Sequence, residues 1–234
     1  MLQMENSDEL TRVREQFREF ISLAVHDLRG PLRAIGVSVD VLAGQENATS
    51  SENTAECVRL IQDGVDRMDA LLRDIGEFCF AEGQAIQIRE VDMNAVWAEA
   101  IRQSAPELKA CGAVVTQDSL PKAHGDFFAL AKVFRSVIAN ACRFRTAEGP
   151  RIHAGVERGE IESRFFVRDN GMGFDPAHSA KIFQPFKRLN GRKYPGSGLG
   201  LTLAQRIVEQ HEGKMWAESS AGAGSVFWFS LPNS

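Results

Sequence analysis

Two long series of apolar residues spaced three or four apart constrain this chain more than any other feature. The first is Leu10, Val13, Phe17, Ile21, Ala24, Leu28, Leu32, Ile35, Val39 and Leu42. Steps of three or four return a side chain to the same side of an α-helix, so these positions form one face of a long helix. The second is Val58, Ile61, Val65, Met68, Leu72, Ile75 and Cys79, where steps of three and four alternate throughout. That alternation is the heptad pattern of helices packing as a coiled coil or bundle. A polar break at 44–53 (GQENATSSEN) lies between them and predicts an antiparallel helical hairpin. A lone hairpin buries too little core to be stable, so the stripes imply a four-helix bundle made by two chains, or packing on the rest of the same chain.

Within the first stripe stands FISLAVHDLRGPL, residues 20–32. His26 is two residues from both Ala24 and Leu28, about 200° around the helix from each, so it points away from the stripe. Asp27 is adjacent. Pro31 has no N–H for the Asp27 carbonyl, which predicts a bend one turn after the histidine. A lone histidine on a helix is ordinarily a surface residue or a satisfied core residue, and this pair acquires meaning only from motifs far downstream in the chain.

Beyond residues 80–86 the pattern changes. Residues 86–88 and 113–115 are short β-like runs, 93–108 and 126–144 read as helices, and 151–156 and 163–167 read as paired strands. A glycine-rich stretch at 171–198 precedes a helix at about 199–211, and strands at 215–218 and 225–231 close the chain. This order predicts an α+β fold whose C-terminal part, 83–234, is an α/β sandwich with helices on one face of a mostly antiparallel sheet; 1–82 is the helical part.

The formal charge of -4 supplies no basic field for nucleic acid. No apolar run approaches the roughly 20 residues of a spanning helix. The start, MLQMENSDEL, is polar and acidic and unlike a signal peptide. Cys57, Cys79, Cys111 and Cys142 form no CxxC pair and read as reduced thiols of a cytoplasmic protein. Asn47-Ala48-Thr49 has the form of a glycosylation sequon but, with no secretion signal, reads as loop.

Three segments carry candidate chemistry. Asp169-Asn170-Gly171-Met172-Gly173 comes directly after an apolar strand. A carboxylate there can accept a hydrogen bond from an exocyclic amine such as adenine's, and the glycines let backbone approach a flat ring. Gly196-Ser197-Gly198-Leu199-Gly200 opens a helix, where exposed N–H groups and the helix dipole favour phosphate. It lacks the lysine of a P-loop and the Rossmann glycine spacing. Asn140 lies on a helix among apolar neighbours, and its carbonyl oxygen suits Mg²⁺. Arg143 and Arg145 stand just beyond it and could face phosphates or simply solvent.

In order and spacing, the Asn140 helix, DNGMGF, IFQPFKRL and GSGLGL resemble the ATP-binding domain of sensor histidine kinases, a Bergerat-fold ATPase. FISLAVHDLRGPLRAI resembles the dimerisation and phosphoacceptor domain of the same kinases. Together the two resemblances cover about residues 15–232. They imply that His26 is phosphorylated at Nε2 by ATP and that Asp27 orients its ring and helps handle its proton. They imply Asp169, Gly171 and Gly173 around adenine, Asn140 on Mg²⁺, Arg143 beside the phosphates, and Gly196, Gly198, Leu199 and Gly200 wrapping them. Residues 174–195 would form a lid whose Lys187 or Arg188 reaches the γ-phosphate, with Phe183 and Phe186 as its aromatic motif. The implied partners are a second copy of the chain, a response-regulator receiver domain, and an upstream sensor domain or protein.

Two positions depart from the family. Ser136 stands where asparagine is usual, which predicts weaker Mg²⁺ organisation. Gly30 stands four residues after the histidine, where kinases that also dephosphorylate their partner carry Thr or Asn, which predicts little phosphatase activity. Two other readings stay open: an ATP-binding scaffold without phosphotransfer, favoured by Ser136, and a Bergerat-fold serine kinase or ATPase, which would lack the His-bearing hairpin.

Overall fold

The computed structural model describes residues 2–43, 51–83, 86–189, 194 and 196–233, with side chains from 20–42 and 54–79 in the two long helices. The chain divides into two compact units, Met1–Glu77 and Phe78–Ser234.

In the first unit, α1 (Leu2–Ala43) and α2 (Ser51–Gly83) realise the two stripes. The break at 44–50, with the sequon, lies outside the described residues; Ser51 to Asn53 already belong to α2. Helix α1 runs without interruption through Pro31. The two helices approach closely where α2 has Gly64: a Cβ there would lie 2.7 Å from Ile35 Cγ1 and 3.3 Å from the Pro31 carbonyl oxygen. Within this pair the stripe splits in two. Ala24 is buried and Leu28, Ile35, Ile61, Met68 and Ile75 are half-buried, whereas Ile21, Leu32, Val39, Val58, Val65 and Leu72 stay exposed. Two helices can cover only one side of each other's apolar face, so about half of the described stripe positions have no cover within the helix pair.

The second unit is a two-layer sandwich. Its elements are β1 (Arg89–Asp92), α3 (Met93–Gln103), α4 (Ala105–Cys111), β2 (Val114–Gln117), β3 (Lys122–Gly125), α5 (Phe127–Arg143), β4 (Arg151–Arg158), β5 (Glu162–Asp169), α6 (Gly200–Gln210), β6 (Met215–Ser219) and β7 (Ser225–Pro232). The main sheet has the order β2-β4-β5-β7-β6 and is antiparallel except for β2 beside β4. Inward residues alternate along β5 as Ser163, Phe165, Val167 and Asp169, all buried. Phe165 stacks on Phe229 of β7 at 5.2 Å, and Phe134 of α5 meets Phe229 edge-on at 5.2 Å and Trp97 of α3 at 5.0 Å. These aromatic contacts join the helical layer to the sheet.

Two local expectations change, and one strand had no forecast. The single helix over 93–108 breaks at Ser104 into α3 and α4, because Pro106 cannot donate to a carbonyl one turn back and sits instead in the first turn of α4. Residues 86–88 are irregular and the strand begins at Arg89. Strand β3 has no apolar alternation to reveal it; pairing with β1 over Lys122↔Asp92 to Gly125↔Arg89 makes it a strand.

Candidate functional site

Helix α5 begins at an Asp126 cap and buries Leu130, Val133, Phe134, Val137, Ile138 and Ala141 on one side. Ser136, Asn140 and Arg143 recur at helical spacing along a different side and are half-buried. At the far end of the helix, the Phe144 carbonyl accepts the Met172 N–H at 2.9 Å, tying the foot of α5 to the DNGMG turn. A Cβ on Gly171 would lie 2.7 Å from that same carbonyl oxygen. Gly173 has φ +59°, and a Cβ there would be 2.0 Å from the Ser220 carbonyl oxygen, so glycine is required.

Asp169 ends β5 and is 8% exposed. Its Oδ1 accepts the Gly171 N–H at 2.7 Å. Burial pushes its pKa above the usual carboxylate value, and the backbone N–H groups of Gly171 and Ser225 pull it partly back.

The glycine loop meets α5 from the other side. Gly196 lies against the Arg143 guanidinium, leaving a Cβ only 2.4 Å from Nη1. A Cβ on Gly200 would have Ser136 Oγ as its nearest neighbour at 3.8 Å. Leu199 is 1% exposed, so its side chain is core, while its N–H donates to Ser197 Oγ at 3.1 Å. The first turn of α6 has no side-chain cap. Its N–H groups are those a phosphate can satisfy, so the loop fits the nucleotide phosphates. Ser136 does not aim its hydroxyl outward: Oγ donates to the Lys132 carbonyl at 3.0 Å, one turn back. A divalent metal here would rest on the Asn140 amide oxygen and the nucleotide's own phosphates.

Between these motifs, two short 3₁₀ turns span Pro176–His178 and Lys181–Phe183. Phe183 and Phe186 are buried, and the Phe186 N–H donates to the Gly198 carbonyl at 3.2 Å. Lys187 is exposed, and Arg188 donates to the Tyr194 carbonyl. Residues 190–193 and 195 of the expected lid lie outside the described residues.

Asn140, Arg143, Asp169, Gly171, Gly173, Gly196, Gly198, Leu199 and Gly200 are thus gathered around the C-terminal end of α5 and the N-terminal end of α6. His26 and Asp27 belong to the other unit. There the His26 side chain is 75% exposed, and its Nδ1 lies 3.2 Å from Asp27 Oδ1. That contact leaves Nε2 as the outward nitrogen. Sequence reasoning missed Ser219 and gave Ser197 no role beyond its place in the glycine loop. Ser219 Oγ accepts the Phe174 N–H at 2.9 Å and donates to the Gly224 carbonyl at 2.8 Å, bracing the turn after DNGMG. Isolated serines carry no periodic signal, and only the turn's geometry gives them a role.

Residues 17–78 match the family described as His Kinase A (phospho-acceptor) domain, and residues 125–234 the family described as Histidine kinase-, DNA gyrase B-, and HSP90-like ATPase. The chain belongs to the histidine kinases. Cyanobacterial phytochrome A of Nostoc sp. is 34% identical over 96% of the chain and 29% of its own length. The adaptive-response sensory kinase SasA of Synechococcus sp. is 29% identical over 96% of the chain and 62% of its own length. The chain spans about 30% of the length of the phytochromes it matches. Among solved structures, histidine kinase ThkA in complex with response regulator protein TrrA is 19% identical with TM-score 0.74, covering 98% of the chain and 66% of that chain. This likeness places the histidine kinase core on a known fold. Among the described residues, no helix is long and apolar enough to cross a membrane.

Proposed function

We propose that this histidine kinase core is an active, cytoplasmic, ATP-dependent protein-histidine kinase that autophosphorylates His26 and passes the phosphoryl group to an aspartate of a response-regulator receiver domain. The observation that carries the reading is the His26–Asp27 contact. With Nδ1 engaged by the carboxylate at 3.2 Å, the ring holds its proton on Nδ1 and offers the Nε2 lone pair to solvent. In the proposed step a bond forms between Nε2 and the γ-phosphorus, the bond from that phosphorus to the β–γ bridging oxygen breaks, and ADP leaves. Asp27 stabilises the imidazolium that forms and takes its Nδ1 proton.

In the nucleotide site, Asp169 would accept the adenine amine, and Gly171 and Gly173 would let backbone face the ring. Gly196, Gly198, Leu199 and Gly200 would bring N–H groups to the phosphates, with Arg143 beside them and Lys187 or Arg188 offered from the lid. Asn140 would hold Mg²⁺, whose chemistry is to neutralise phosphate charge. Because Ser136 is bonded to its own helix, that metal would have one protein ligand fewer than is usual. The described stripe positions that the helix pair leaves uncovered support a dimeric four-helix bundle. Input would come from a sensor domain or a separate sensor protein. Gly30 has no side chain to position a water, which supports weak phosphatase activity.

The test is incubation with γ-labelled ATP and Mg²⁺. Acid-labile, base-stable label that disappears in His26→Gln is expected. Nucleotide binding with no label would establish the silent scaffold instead, and acid-stable label a serine kinase.

A further inference from the structure

The two helices that frame the nucleotide site are joined at their far ends by a buried histidine. His211 caps the C-terminus of α6 and is 4% exposed. Its Nδ1 lies 2.7 Å from the Ile207 carbonyl oxygen, and its Nε2 accepts the Asp126 backbone N–H at 2.9 Å. A carbonyl only accepts and a backbone amide only donates. Together they require the neutral ring with its proton on Nδ1. A second proton, on Nε2, would be driven against the Asp126 N–H.

Asp126 is itself a junction of three segments. Its N–H goes to His211. Its Oδ1 accepts the N–H groups of Phe128 at 3.0 Å and Ala129 at 3.1 Å, capping α5. Its Oδ2 accepts the N–H of Gln87 at 3.1 Å, from the stretch between α2 and β1. There is no slack around the joint: a Cβ on Gly125 would lie 2.5 Å from Leu130 Cδ1 and 2.9 Å from His211 Cδ2.

We propose that His211 and Asp126 are positioning residues of the nucleotide site, which lock α5 against α6, fasten the segment after α2 to both, and release when His211 is protonated. The proposal rests on the kinase reading above. Asn140 is fourteen residues beyond Asp126, about 21 Å along α5, and Gly200 is eleven residues before His211, about 17 Å along α6. A helix moves nearly as a rod, so a slip at the joint displaces Asn140 relative to the glycine loop. Misplacement of about 1 Å is enough to cost substantial activity. Burial holds the His211 pKa below the usual histidine value, against the opposing pulls of the Ile207 carbonyl and the Asp126 carboxylate. Burial acts to raise the pKa of Asp126, but the N–H groups of Gln87, Ala129 and Phe128, helped by His211, bring it below the usual value, so it stays charged. The nearby His124 of β3, Glu209 of α6 and Glu212 are exposed to solvent.

Two substitutions separate the parts of the joint. His211→Gln can present Oε1 to the Asp126 N–H and cannot be protonated. Asp126→Asn keeps one oxygen for the cap but turns an amide N–H toward Gln87, removing only the link to the segment after α2. The test is titration of the whole chain with Mg²⁺ and AMPPNP between pH 5.5 and pH 8, alongside ¹⁵N spectra of the histidine rings. Wild type should lose about fivefold more affinity on acidification than His211→Gln, within the range of coupling between distant sites. Comparing the two cancels titration of the nucleotide's own phosphates. Asp126→Asn should weaken binding about fivefold at pH 8 with its fold intact. Parallel pH profiles for wild type and His211→Gln, or unchanged affinity in Asp126→Asn, would overturn the proposal. A His211 ring protonated on Nε2 at neutral pH would overturn the joint alone. Failure of AMPPNP to bind wild type at any pH would overturn the kinase reading and the positioning role with it.

Discussion

Asp169→Asn separates binding from stability at the centre of the candidate site. An asparagine can keep Oδ1 on the Gly171 N–H at 2.7 Å, but its other arm becomes an NH₂ group. Where adenine would present its amine, a donor then faces a donor. A hydrogen bond to a charged group is worth about 1.5–3 kcal/mol, so nucleotide affinity should fall about 10- to 150-fold. Stability should behave differently. Burial raises the pKa of Asp169 in the folded chain, so the charged form is disfavoured there. Its stabilising contribution is complete below the unfolded value near 3.8 and is lost as pH rises through the higher folded value. At neutral pH the carboxylate is thus a cost to the nucleotide-free fold, and asparagine removes it while losing the charge-assisted part of the Gly171 bond. The two effects oppose each other, so the variant should unfold within about 3 °C of wild type, or above it. Calorimetric titration with Mg²⁺ and AMPPNP reads the first quantity, and scanning calorimetry without nucleotide at pH 7.5 the second. If affinity holds while Tm drops by about 10 °C, Asp169 is a structural brace and its assignment to adenine is wrong.

Other perturbations draw on the same geometry. Leu32→Lys with Leu72→Lys places charge on exposed stripe positions of both helices and should turn a dimer into a monomer by light scattering. Full burial of each leucine contributes about 1.5–3 kcal/mol, or about 6–12 kcal/mol over the four in a dimer. A doubly substituted chain that remains dimeric would place the interface elsewhere. Gly213→Ala puts a Cβ 1.9 Å from the Ser230 carbonyl oxygen, a backbone atom of β7 with little freedom to move. It should cost about 1–3 kcal/mol, seen as a Tm lower by several degrees. Gly30→Thr should speed loss of phosphate from a phosphorylated receiver domain in the presence of ADP. Rapid loss with the wild-type chain would refute the role assigned to Gly30.

The parts legible in the sequence were those whose signal repeats or whose residues have few uses. Both long helices, α5 and α6, and β4 to β7 stand where periodicity placed them, with ends shifted by a few residues. The glycines of DNGMG and GSGLG could be chosen because glycine at such density marks close backbone approach, and Gly173 and Gly196 bear this out by the atoms their Cβ would strike. The break at Ser104 was also within reach, since Pro106 is visible, but an apolar stripe continuing across it masked the stop. Strand β3 was not legible, because Lys122 to Gly125 become a strand only by pairing with β1. The back-bonded hydroxyl of Ser136 was equally hidden, since residue type cannot say which of two acceptors a serine selects.

By itself the sequence determined the division into a helical hairpin and a sheet domain, the outward position of His26, and which residues are candidates to meet a nucleotide. These arise from local periodicity and from side-chain chemistry, which need no knowledge of distant contacts. Tertiary structure alone decided that Asp169 is buried enough for its carboxyl to be costly, and that about half of the described stripe positions are left uncovered by the helix pair. It also decided that His211 and Asp126, 85 residues apart, share a proton-sensitive bond. Each of these depends on desolvation or on a contact between remote segments, and neither quantity exists until the chain has folded.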